Sequence, residues 1–227
     1  MAAQELFEEI PHTCRSTKLT MMNYESLLRG YKPGTLWKQG SMDYEQNVAL
    51  GKNGGFDTLR HYALGFFIAA RKIQGLIIED LETKTYRDAI FNPLLFCYWH
   101  GFEVAIKYLI EKLSIIYTEG SSYKLHHSLI GNWKILRPLV IQYSKLYPGD
   151  ENLSMEQIDS IEYFLIDFSL IESKGMAFRY PSPAKEPSKK YTYEFELVNI
   201  VETATTIEKA SHWFELLIDG VDEDLTY

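Results

Sequence analysis

Apolar residues return at three- and four-residue steps through five long stretches of this chain, and that period predicts five helices. The first stretch runs from Phe56 to about Glu82, with Leu59, Ala63, Phe66, Phe67, Ala70, Ile73 and Ile77 on one broad face. Arg60, Arg71 and Lys72 fall among them and are expected to face solvent or to snorkel. The second opens at Asn92, a good N-cap, with Pro93 in the first helical position. Its apolar stripe is Leu95, Trp99, Phe102, Ile106, Leu109 and Leu113, and it ends near Glu119 and Gly120. The third runs from about His127 to Leu146 and contains Pro138, which is expected to kink or divide it.

Tyr147-Pro148-Gly149-Asp150 reads as a turn. The fourth helix follows, opened by a capping box from Ser154 to Gln157 and stopped near Gly175. The last runs from about Asn199 to Asp219, and Asp222-Glu223-Asp224 beyond it reads as a frayed acidic tail. Residues 181 to 197 begin with Pro181, Pro183 and Pro187 and continue with alternating Tyr191, Tyr193, Phe195 and Leu197, which suits a loop or short hairpin. The fold class expected is all-α: an antiparallel bundle of about five main helices over residues 56–227. Residues 1–55 form an irregular extension punctuated by Gly30, Pro33, Gly34 and Gly40.

The 227 residues are 46% hydrophobic, enough for one sizeable core. A net charge of −8 disfavours non-specific coating of nucleic acid or membrane, so any nucleic-acid site must be a local patch or a narrow pocket. No apolar stretch is long enough to span a bilayer, and Glu5, Glu8 and Glu9 exclude a secretory signal at the N-terminus. Cys14 and Cys97 form neither a metal-ligand spacing nor a disulfide framework, which points to a reducing, cytoplasmic setting. No phosphate loop, dinucleotide fingerprint or nucleophile elbow is present, and no cofactor is expected.

Candidate chemistry gathers first on the second helix. Phe96, His100, Glu103 and Lys107 are spaced by four, three and four, so they share one stripe beside the apolar one. They form either a structural polar network or the lining of a polar pocket. A metal is not expected, since one His-x-x-Glu pair supplies two ligands and no second copy occurs. His126 and His127 open the third segment; adjacent residues diverge on a helix, so one is expected in the loop and the other inward. Near the fourth helix, Lys174, Arg179, Lys185, Lys189 and Lys190 face only Glu186, with Phe178, Tyr180, Tyr191 and Tyr193 interleaved. That composition suits a solvated loop or an RNA-binding surface on which bases stack.

Three of these motifs, in order, resemble HEPN-like bacterial proteins. Asn92 to Lys107, with His100, Glu103 and Lys107, is similar to a helix of that family. His127-Ser128-Leu129 with Trp133 is similar to its next helix start, and Phe178-Arg179-Tyr180-Pro181 to a later motif. The resemblance covers roughly residues 56–220. It implies a helical bundle, commonly dimeric, with roles in RNA cleavage, RNA binding or protein interaction in bacterial defence and stress systems. It also implies that His100, Glu103, Lys107, His127, Arg179 and Tyr180 converge on one side of the bundle. The usual ribonuclease signature of that family, an Arg followed four to six residues later by His, is absent from every Arg in the chain. Trp99 and Ser128 replace the Arg and Asp of the family pattern. The expectation is therefore an interaction or RNA-binding module that pairs with itself or a partner protein. An atypical metal-independent ribonuclease using His100 or His127 with Arg179 is the alternative.

Overall fold

The computed structural model describes residues 58–79, 87–118, 123–170, 178 and 198–225. Within them the chain is all-α, with no strand. The helices are α1 (Thr58–Glu79), α2 (Arg87–Tyr117), α3 (Leu129–Ser144), α4 (Met155–Leu170) and α5 (Ile200–Leu225), with one 3-10 turn at Glu151–Leu153. The expected boundary between 55 and 56, the Gly175 stop and the loop or hairpin at 181–197 lie outside the described residues.

α2 is the centre of the bundle. Its buried residues come from every side of the helix, among them Tyr98, Trp99, Phe102, Ile106 and Leu109. A helix that is apolar all round is one surrounded by others. Phe102 packs its ring against Phe67 of α1, Phe164 and Phe168 of α4 and Phe214 of α5, with centroids 5.2 to 5.8 Å apart. Trp133 of α3 reaches Phe214 and Trp213 of α5. The directions follow from these registers. Phe67 lies by Gly101 and Gln74 by Tyr98, so α1 runs antiparallel to α2. Phe164 and Phe168 meet Phe102, and Phe168 also meets Trp99, so α4 is antiparallel too. Tyr108 bonds Asp222 while Phe102 meets Phe214, so α5 runs with α2.

Gly101 sets the closest approach. A Cβ there would lie 2.6 and 2.7 Å from the ring carbons of Phe67, a separation no real contact tolerates. Polar links then tie α1 to α5 at its edge. Arg71 donates to both Glu215 oxygens at 3.1 and 2.8 Å, and Gln74 donates to Glu208 at 2.8 Å while accepting from Tyr98 at 2.9 Å.

Several boundaries differ from the pattern-based reading. α2 begins at Arg87, so Asn92 and Pro93 are inside the helix and do not cap it. Asp88 supplies a carboxylate to the first turn, which favours the helix N-terminus. Pro93 is solvent-exposed, which leaves its ring room and lets water satisfy the Ala89 carbonyl. Pro138 is likewise exposed and α3 continues through it undivided. Ser154 caps α4 as expected, accepting from Gln157 N at 3.3 Å, and Asn199 caps α5 by accepting from Val201 and Glu202. Gly149 closes the expected turn with φ +98°, a conformation that favours glycine.

The largest correction concerns the end of α5. Asp222, Glu223 and Asp224 are helical, not frayed. Arg60 Nε lies 2.7 Å from Asp222, whose carboxylate also accepts from Tyr108 Oη. Asp224 accepts from Tyr143 at 2.8 Å and from Tyr147 at 2.6 Å. Charge that looks solvated in sequence is anchored by hydroxyls from α2, from α3 and from the turn after it.

Candidate functional site

Glu103 sits one turn beyond His100 and one turn before Lys107, on the stripe of α2 that adjoins its apolar face. Its side chain is 5% exposed. A buried carboxylate needs partners, and it has three. Lys107 Nζ lies 2.6 Å from Oε1, His127 Nδ1 lies 2.9 Å from the same oxygen, and His100 Nδ1 lies 3.6 Å from Oε2. The last separation exceeds hydrogen-bond length, so His100 acts through its charge when protonated. Burial alone would push the Glu103 carboxyl up. His100, Lys107 and His127 outweigh it and bring its pKa down to about 2, so the group is an anion at neutral pH.

His100 is oriented by aromatic rings as well as by Glu103. Phe66 of α1 meets it edge-on at 4.5 Å, and Phe96, one turn earlier on α2, stacks on it at 5.8 Å. Lys107 and Glu103 form an i,i+4 pair in the favourable order.

His127 comes from the loop before α3, and a residue that the sequence did not single out holds that loop. Asn132 is fully buried, and its side chain donates to the His126 carbonyl at 2.7 Å and accepts from the His126 N–H at 2.8 Å. Ser128 then caps α3 by accepting from Gly131 N. The detectable signal was an Asn in a stretch whose neighbours Leu129, Trp133 and Leu136 are core residues. Both histidines are exposed; His126 lies in the loop, and His127, its side chain 80% exposed, turns its Nδ1 to the buried Glu103.

The structure therefore brings His100, Glu103, Lys107 and His127 together. Arg179 and Tyr180, and the cationic run Lys174, Lys185, Lys189 and Lys190, lie outside the described residues. Phe178 is described, and it is buried against Trp99 and Phe168. Burial pushes the Cys97 thiol up, away from an activated nucleophile. Among the described residues no three His, Cys, Asp or Glu side chains are grouped so as to hold a metal ion, and no helix is long and apolar enough to cross a membrane.

The arrangement is a helical bundle whose central helix carries a buried carboxylate engaged by one lysine and two histidines. No family model, curated protein or solved structure matches this chain.

Proposed function

We propose that this chain is an RNA-binding module that receives phosphate on the face formed by His100, Lys107 and His127. One observation carries the reading: a single buried anion, Glu103, is shared by three groups able to carry positive charge. Lys107 alone balances it, so protonation of either ring makes the face net positive. The N-terminus of α3, immediately after His127, adds the positive end of a helix dipole. A net charge of −8 disfavours non-specific association with a polyanion, so binding requires a local site such as this face.

The resemblance to HEPN-like proteins supports a setting in bacterial defence or stress, and pairing of the module with a second copy. Light scattering tests the pairing: a strict monomer at high concentration counts against it. RNA binding is tested by fluorescence anisotropy with a short single-stranded RNA. Affinity should weaken with added salt. Lys107→Ala and His127→Ala should each weaken it about tenfold, on the order of 1.4 kcal/mol. No measurable binding at low salt overturns the proposal.

A second reading, a metal-independent ribonuclease, is favoured by one detail. Glu103 engages His127 at Nδ1, which leaves Nε2 as the ring nitrogen available to take a proton from a ribose hydroxyl. Cleavage leaving cyclic phosphate ends, abolished by His127→Ala, would select this reading over simple binding.

A further inference from the structure

His127 is the most exposed member of the Glu103 cluster, yet the backbone on both sides of it is pinned. On one side, the fully buried Asn132 closes two bonds on the backbone of His126, donating to its carbonyl at 2.7 Å and accepting from its N–H at 2.8 Å. On the other, Ser128 accepts from Gly131 N at 3.1 Å through its hydroxyl and from Asn132 N at 3.1 Å through its carbonyl. Four residues past a helix cap, an apolar side chain commonly packs back against the residue before the cap. Here that position is Asn132, and it holds the entering backbone by hydrogen bonds instead.

The ring is held at a third point. Glu103 is an anion at neutral pH, and an ionised carboxylate only accepts. Its 2.9 Å contact with His127 Nδ1 therefore puts the proton of the neutral ring on Nδ1 and leaves Nε2 a bare acceptor. Among the described residues the ring has no second polar partner. Lys107 Nζ converges on the same carboxylate oxygen at 2.6 Å. An acceptor and a cation thus stand side by side on one face.

A solvated side chain ordinarily keeps its rotamer freedom, and an exposed ion pair adds little to folding. A ring fixed through both flanking residues and through one nitrogen is preorganised for a contact. Phosphate oxygens only accept, so they are met by Lys107, and by His100 when it is protonated, rather than by a bare Nε2. Within the RNA reading, on which this inference rests, Nε2 calls for a donor next to the phosphate. The ribose 2′-hydroxyl is such a donor, and deoxyribose lacks it.

We propose that His127 is the residue by which this face tells ribose from deoxyribose, and that Asn132 is the positioning residue that holds it for that contact.

The test compares short single strands of one sequence by fluorescence anisotropy: RNA, DNA, and 2′-fluoro RNA, which keeps the ribose pucker without a hydroxyl donor. RNA should bind at least about tenfold tighter than either of the others. His127→Phe, at an exposed position that leaves folding intact, should abolish the difference. Asn132→Ala should abolish it too, in step with a spectroscopic change. Nitrogen NMR of the neutral His127 ring should show the Nδ1–H tautomer in the wild type and lose that signature in Asn132→Ala. If Asn132→Ala fails to fold, hydrogen exchange in the wild type decides the positioning role. The His126 amide should then exchange more slowly than the Leu125 amide, and equal rates overturn that role.

Equal affinity for RNA and DNA, 2′-fluoro RNA binding as tightly as RNA, a preference that survives in His127→Phe, or an Nε2–H tautomer in the wild type overturns the proposal and leaves RNA binding standing. Binding of none of the three strands overturns the RNA reading and this inference with it.

Discussion

Glu103 and His127 make a bond between a buried anion and an exposed ring: Oε1 lies 2.9 Å from Nδ1, with the carboxylate 5% and the imidazole 80% exposed. The two partners therefore differ in what they owe to each other. The carboxylate needs its donors to remain buried, whereas the ring can be solvated without them.

The first prediction follows from that asymmetry. Glu103→Ala leaves the half-buried Lys107 without its partner and opens a hole beside α2. It should lower unfolding free energy by on the order of 3 kcal/mol in urea denaturation. His127→Ala should cost less than about 1 kcal/mol, since water replaces the exposed partner. Equal losses in the two variants would contradict the geometry.

Acid should expose the same carboxylate. Its folded pKa, about 2, lies below the ordinary value of 4.5, so folding favours the ionised form. The stability it contributes is present above about pH 4.5 and is lost as pH falls toward about 2. The wild-type protein should lose on the order of 2–3 kcal/mol across that window relative to Glu103→Gln. Parallel pH profiles for the two proteins would sink this prediction.

Gly101→Ala tests the contact between α1 and α2. The added methyl meets the Phe67 ring, which is itself fully buried and has nowhere to move. Overpacking of this kind costs roughly 1–3 kcal/mol, read as a lower melting temperature. A melting temperature equal to wild type would mean the helices separate easily at this point.

Asp222→Ala addresses the end of α5. It strips Arg60 and the buried Tyr108 hydroxyl of an acceptor. A loss of about 1–3 kcal/mol is expected in denaturant titration. If the last turn were merely solvated, the change would be neutral.

These sites differ in how well the sequence announced them. The five helices were legible because their faces repeat at 3.6 residues, and the cap at Ser154 because capping is local chemistry. The stripe of His100, Glu103 and Lys107 was legible for the same reason: one helix sets its spacing. Asn92-Pro93 misled because it looks like a helix start, yet an exposed proline inside a long helix is tolerated when neighbouring contacts hold the rest of that helix. The bonds from Tyr143 and Tyr147 to Asp224 join residues about 80 apart in sequence, and no local pattern encodes them; the Asn132 clamp is local, six residues from His126, but shows only once the loop conformation is known.

The direction of α3 has a consequence for the charges at its ends. Its first turn lies just after His127 beside Glu103, and its last turn stands beside the carboxylates of Glu223 and Asp224. The 16 residues between span about 24 Å. The helix's own peptide dipoles are positive at the first end and negative at the second. Along α3 the peptide dipole therefore has its negative end at the carboxylates of Glu223 and Asp224, an arrangement that helix polarity alone would disfavour and that the Tyr143 and Tyr147 hydroxyls offset.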